Sequence, residues 1–207
     1  MKLPEKTIER LSQYRRTLLN YQANGQTHIF SHEIAALLNI TAVQVRRDIM
    51  FLGYTSSQRK GYDIKDLVSV IGTLLDHNEV LNVAIVGMGH LGTAITSYFK
   101  GKRAKLDIVA VFDIDPGKID KTISGVKCYG MEKLSEVFKN LNISIGVITV
   151  PPENAAEVAD ILVDANVRGI LNFTTVPLNV SSHVYLEEFD MVTSLEKIAY
   201  FVKKQKG

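Results

Sequence analysis

Apolar positions follow two different periods along this chain, and the change falls near residue 78. Over the first third the spacing is helical. Ile8, Leu11, Tyr14, Leu18 and Leu19 follow Pro4 at mostly three- and four-residue steps, which predicts an amphipathic helix stopped by Asn24-Gly25. Ser31 as an N-cap predicts a short helix carrying Ile34, Ala35, Leu37 and Leu38, and Thr41-Ala42-Val43-Gln44 reads as a capping box that opens another. Two short helices joined by a brief turn behind a leading helix form the helix-turn-helix pattern. Tyr54 to Tyr62 predicts a β-ribbon, or wing, and an apolar helix follows from about Ile64 to Leu75. Past the polar break Asp76-His77-Asn78-Glu79 the pattern changes. Apolar runs at Val83–Val86, Ile108–Phe112, Val126–Tyr129, Ile145–Val150 and Gly169–Phe173 alternate with helical stretches at His90–Phe99, Met131–Lys139, Glu153–Asn166 and Ser194–Lys204. Buried strands spaced by helices predict an α/β fold with a doubly wound parallel sheet. The expectation is a winged helix-turn-helix domain over residues 1–78, then a Rossmann-type domain over 79–192 and a terminal helix over 193–207.

The first strand of the second domain runs into Gly87-Met88-Gly89-His90-Leu91-Gly92, a G-x-G-x-x-G turn ahead of a helix. Such a turn brings a pyrophosphate against backbone N–H groups and the positive end of the helix dipole. Asp113 closes the next strand, 21 residues past Gly92, where an acidic side chain holds a ribose diol. A carboxylate there would repel a 2′-phosphate, and residues 114 and 115 are Ile and Asp, with no Arg to neutralise one. The reading is NAD(H), not NADP(H). Ligands of open α/β sheets lie beyond the carboxyl ends of the strands. That makes Thr149, Pro151 and Asn172 candidates for the nicotinamide side.

In the helix after Thr41, Ala42, Val45, Ile49 and Leu52 share one face at 100° per residue. Gln44 and Arg47 point away from it and Arg46 sits at the border, which suits a recognition helix in the major groove. Arg59 and Lys60 in the wing are then placed for phosphates. Net charge is only +2, with ten Lys/Arg against seven Asp/Glu in residues 1–76 and fourteen against fifteen beyond. Nucleic-acid binding therefore rests on placement, not bulk charge. No apolar run approaches the ~20 residues needed to cross a bilayer, no signal peptide opens the chain, and the single Cys128 fits a reducing cytoplasm. No metal-ligand cluster and no catalytic constellation are evident. A small NAD-dependent oxidoreductase dimerised by its N-terminal helices is the alternative. It lacks a substrate domain and a proton donor near the nicotinamide. A repressor holding another nucleotide or an acyl-CoA is a second rival, against which Asp113 argues.

With both halves read, the chain resembles the Rex family of redox-sensing transcriptional repressors over its whole length. The resemblance is carried by Lys2-Leu3-Pro4-Glu5, Tyr14 with Arg16, Thr41 through Asp48 and Gly61-Tyr62 in the first half. In the second it is carried by the glycine turn, Phe112 through Pro116, Thr149-Val150-Pro151 and Gly169 through Phe173. It implies a homodimer on an inverted-repeat operator, released by NADH and permitted to bind by NAD⁺, with no enzymatic activity. It also implies a swapped last helix packed between the two domains of the partner subunit. Asp190 would exchange partners between states, pairing with Arg16 when DNA-competent and with Tyr98 when NADH is bound. Val150 and Met191 join the expected cofactor contacts. Two departures stand out. Met191 replaces an aromatic side chain of some relatives, and the wing reads Gln58-Arg59-Lys60-Gly61-Tyr62 in place of R-G-x-G-Y.

Overall fold

The computed structural model describes residues 3–55, 60–76, 79–99 and 105–204. The chain divides into two units, residues 1–78 and 79–207.

In the first unit, α1 (Glu5–Ala23), α2 (Ser31–Leu38), α3 (Ala42–Phe51) and α4 (Ile64–Leu75) enclose one apolar core. Leu11, Tyr14 and Leu18 are fully buried, whereas Ile8 and Leu19 are over 40% exposed. The inward stripe of α1 runs Thr7, Leu11, Tyr14, Leu18, and a residue one step off it is turned about 100° toward solvent. Leu37 faces outward on α2 for the same reason. Phe30, not Ser31, is the N-cap of α2. Its N–H donates to the Glu33 carboxylate at 2.7 Å, so the working half of the cap is the glutamate reaching back. At α3 the other half works. The Thr41 hydroxyl accepts from the Gln44 N–H at 3.1 Å, but the Gln44 side chain turns to Asp48 instead of closing the box. The ribbon is two-stranded and antiparallel, β1 (His28–Ile29) with β2 (Tyr62–Asp63). Among the described residues, the strand that β2 pairs with is thus β1, from the segment between α1 and α2.

Asp48, fully buried on α3, is the polar centre of this unit. It accepts from Arg10 Nε at 2.6 Å and from a second Arg10 nitrogen at 2.8 Å. The Tyr14 hydroxyl donates to it at 2.7 Å and the Gln44 amide at 2.9 Å. Burial pushes the Asp48 carboxyl up, but the donors outweigh it and hold it below the ordinary value. The same cluster raises the Arg10 guanidinium through its bond to Asp48 and pushes the Tyr14 phenol up through burial.

The second unit is built on one sheet ordered β5-β6-β4-β3-β7-β8-β9. The strands are β3 (Leu81–Val86), β4 (Leu106–Asp113), β5 (Thr122–Ile123), β6 (Val126–Gly130), β7 (Ile143–Ile148), β8 (Gly169–Asn172) and β9 (Tyr185–Glu188). All pair in parallel except β5 on β6. The first strand, β3, lies in the middle and the chain winds outward from it both ways, the doubly wound order with its switch point between β3 and β7. Alternation sorts the side chains. Ala84, Val86, Ala110 and Phe112 face one core with α6 (Leu134–Asn140) and α7 (Ala155–Asp164). Val83, Ile85, Val111 and Cys128 face the other, against which Ile95 of α5 (His90–Phe99) packs. The last helix, α8 (Met191–Lys204), has no buried residue. Leu195, Ile198 and Phe201 stand between 57% and 67% exposed.

Replacing Asp48 by Ala leaves Arg10 facing a cavity without its counter-charge, which should cost about 3 kcal/mol of stability, read as a lower urea midpoint by circular dichroism. Because the Asp48 carboxyl is held below its unfolded value, its contribution is complete at neutral pH. It is lost as pH falls through that lowered value. Acid destabilisation below about pH 4 should therefore be shallower in Asp48→Asn than in the unsubstituted protein.

Candidate functional site

The β3–α5 turn is fixed from three sides. Gly87 sits at φ 97°, a conformation that favours glycine. Its N–H donates to the Phe112 carbonyl at 2.8 Å. A Cβ there would lie 2.8 Å from the backbone of Thr149 and Val150. A Cβ on Gly92 would overlap the Gly87 carbonyl oxygen, whereas one on Gly89 would meet no atom within 4 Å. The first and third glycines are thus required by the protein's own packing, and the middle one leaves space beyond it. The Thr149 hydroxyl donates to the Gly87 carbonyl at 2.7 Å and lies 3.0 Å from that of Val86, tying the ends of β3 and β7 together. Of the remaining turn residues, Met88 is buried, Leu91 half-buried and His90 exposed at the start of α5.

Asp113 ends β4 in contact with the same turn. One carboxylate oxygen accepts from the Met88 N–H at 2.8 Å and from Lys118 Nζ at 2.9 Å, and the other accepts from the Asp115 N–H at 2.8 Å. Burial raises the carboxyl, but these donors prevail and keep it ionised below its ordinary value. The bond to Asp113 in turn raises Lys118. Residues 114 and 115 supply no cation, but the carboxylate does have one. That cation lies five residues on, folded back by a turn in which the Gly117 N–H donates to Asp115 at 2.8 Å.

Between the turn, the end of β4 and the start of α7 lies a cavity of about 440 Å³, within the range of cofactor sites. Gly87, Gly89, Asp113, Thr149, Val150 and Pro151 all line it. Its far wall is partly apolar, with Ile114, Met131, Val158 and Ile161 beside Asn154 and Glu157. These wall residues are ordinary strand-end and helix apolar positions, which carry no motif. Asn172 makes its contacts within its own chain. It is fully buried, its amide donates to the Val176 carbonyl at 2.9 Å, and its oxygen accepts from Thr174. Its polar ends hold a turn, and it is not among the residues that line the cavity. Met191 opens α8 at 48% exposure and is not part of that lining either.

On α3, Arg46 and Arg47 are exposed and Gln44 is half-buried. An Arg46 guanidinium nitrogen lies 3.2 Å from the Ser31 hydroxyl. Lys60 is exposed before β2, while Arg59 lies outside the described residues. Arg16 is exposed on α1, above a shallow groove with Gln13, Thr17 and Leu37. In the second unit Tyr98 is 60% exposed, its ring edge-on to Phe99 at 5.3 Å. The Asp190 carboxylate caps α8, accepting from the Val192 N–H at 2.8 Å and the Thr193 hydroxyl at 2.6 Å. The Thr193 bond leads in holding that carboxyl below its ordinary value. Cys128 is fully buried, and burial pushes its thiol up. Among the described residues no three His, Cys, Asp or Glu are grouped to hold a metal, and no helix is long and apolar enough to cross a membrane.

Family models match both units: "Putative DNA-binding protein N-terminus" over residues 2–49 and "CoA binding domain" over residues 78–176. Relatives named redox-sensing transcriptional repressor Rex match almost end to end. The one from Desulfitobacterium hafniense is 39% identical, covering 98% of this chain and 96% of its own. That from Anoxybacillus flavithermus is 34% identical over 98% and 95%. Among solved structures, the Rex-family repressor RSP in complex with NAD⁺ and operator DNA is 29% identical, with a TM-score of 0.91 over 100% of this chain and 95% of that one. RSP with NADH is 28% identical, with a TM-score of 0.87 over 100% and 97%. Identity of this order across both units, on the geometry above, identifies the chain as a member of the Rex family of redox-sensing transcriptional repressors.

Proposed function

We propose that this chain represses transcription as a cytoplasmic homodimer on an inverted-repeat operator, holds NAD(H) in the cavity beyond β3 and β4, and leaves DNA when NADH is bound. The observation that carries the reading is the likeness of both units at once to a repressor solved with NAD⁺ and operator DNA. The cavity fits the group independently. The open space over Gly89 suits a pyrophosphate at the start of α5, and Asp113 retains acceptor capacity for a ribose hydroxyl. Asp113 supports a dinucleotide over an acyl-CoA, despite the name of the matching family model. Relatives named as repressors leave the oxidoreductase alternative without support.

In this reading Arg46 and Arg47 reach the DNA from α3, with Gln44 held at the base of that face by Asp48, and Lys60 and Arg59 contact phosphates. The apolar face of α8 packs on a second copy, which makes residues 193–207 a segment that belongs to the dimer. NADH and NAD⁺ differ in charge and planarity at the nicotinamide. Only a difference in affinity between two domain arrangements lets them switch the dimer. Moving it from 1:99 to 99:1 needs about 5.5 kcal/mol, shared between two sites. Asp190 is the element biased, passing between Arg16 and Tyr98.

Fluorescence anisotropy of an inverted-repeat duplex should show release by NADH and retention with NAD⁺. Persistence of the complex in saturating NADH would sink the switch. Arg47→Ala should weaken operator binding and flatten its salt dependence by about one counterion. Arg16→Ala should weaken DNA binding and leave NADH affinity unchanged, as read by nucleotide fluorescence. In thermal melts Gly92→Ala should destabilise the second unit, while Gly89→Ala should melt like the parent and lose NADH binding.

A further inference from the structure

Asp113 has fewer free acceptor positions than a ribose-binding carboxylate is usually granted. One oxygen already receives two donors, Met88 N–H at 2.8 Å and Lys118 Nζ at 2.9 Å, and the other receives the Asp115 N–H. With about four lone-pair sites on a carboxylate, roughly one remains. A ribose diol offers two hydroxyls. The second polar group available to it in the same wall is Lys118, whose side chain is 34% exposed and lines the cavity.

The charges around this point favour the same assignment. Asp113 and Glu157 line the cavity, Asp115 stands behind Lys118 at 3.8 Å, and Lys118 is the one cationic residue in the described lining. A 2′-phosphate brought here meets Asp113 with its charge already paired. The exclusion of a phosphorylated ribose is then set by Lys118 as much as by Asp113, since Coulomb repulsion at a few ångströms depends on the net charge left unpaired.

We propose that Lys118 is a specificity-determining residue of the ribose subsite: it shares the diol with Asp113 and, by pairing that carboxylate, lets NADPH enter as a weaker second ligand. The inference rests on NAD(H) occupying this cavity. Without Lys118 the diol loses one donor, but Asp113 regains a free acceptor that offsets part of the loss for NADH. NADPH loses more, because its phosphate then faces an unpaired carboxylate. A lysine that merely braced the 113–118 turn would affect both nucleotides alike.

The test is calorimetric titration of full-length protein with NADH and NADPH separately, for the parent, Lys118→Met and Lys118→Arg, with circular dichroism as the check on folding. The parent should bind NADPH measurably, more weakly than NADH. In Lys118→Met, NADPH affinity should fall about tenfold or more beyond whatever NADH affinity loses. Lys118→Arg should restore NADPH. Equal losses for the two nucleotides, an unchanged NADPH affinity, or no NADPH binding by the parent at millimolar concentration would each overturn the inference while leaving NADH binding in place. Failure of the parent to bind NADH would instead overturn the proposed function, and this inference with it.

Discussion

The second unit depends on how three strand ends are tied to one turn. Gly87 donates to the carbonyl of Phe112 on β4, the Thr149 hydroxyl after β7 donates back to Gly87, and Asp113 takes the Met88 N–H. Each bond satisfies a backbone group that would otherwise be buried without a partner, and an unsatisfied one costs about 1–3 kcal/mol. Together they leave the turn a single conformation. A site made from backbone N–H groups works only if those groups already point outward before a ligand arrives, because ordering them on binding would subtract from affinity.

The first unit applies the same principle to a different surface. Asp48 is buried on α3, and Arg10 and Tyr14 reach it from α1. The helix that the proposed reading offers to DNA is thereby fastened to the leading helix by charge and not by apolar contact alone. Ion pairs of this kind are directional, so they fix the azimuth of α3 where interchangeable aliphatic packing would tolerate a small roll.

Much of this was legible from residue order. Helix α4, the α5 start at His90, the strand cores and the glycine turn with its acidic partner all follow from periodicity and from glycine chemistry. What escaped had no local signature. Strand β9 is an edge strand that is mostly exposed, with Leu186 alone of its four residues packed on the core, so Tyr-Leu-Glu-Glu shows no apolar run. The Arg10–Asp48 pair joins residues 38 apart. The Pro-Gly pair announces the Asp115-Pro116-Gly117 turn, but not that it folds Lys118 back on Asp113. Asn172 could not be read either way from the sequence, because the bonds that its amide and oxygen make to Val176 and Thr174 depend on how the chain turns after β8.

Cys128 completes the picture by what it withholds. The sole thiol of the chain is sealed between strands with its ionisation disfavoured, and thiolate character and access are what make a cysteine oxidisable. A thiol placed this way offers oxidants no ready cysteine switch. In the proposed reading the redox signal arrives instead as a dissociable ligand, and the state that it sets relaxes when the nucleotide leaves.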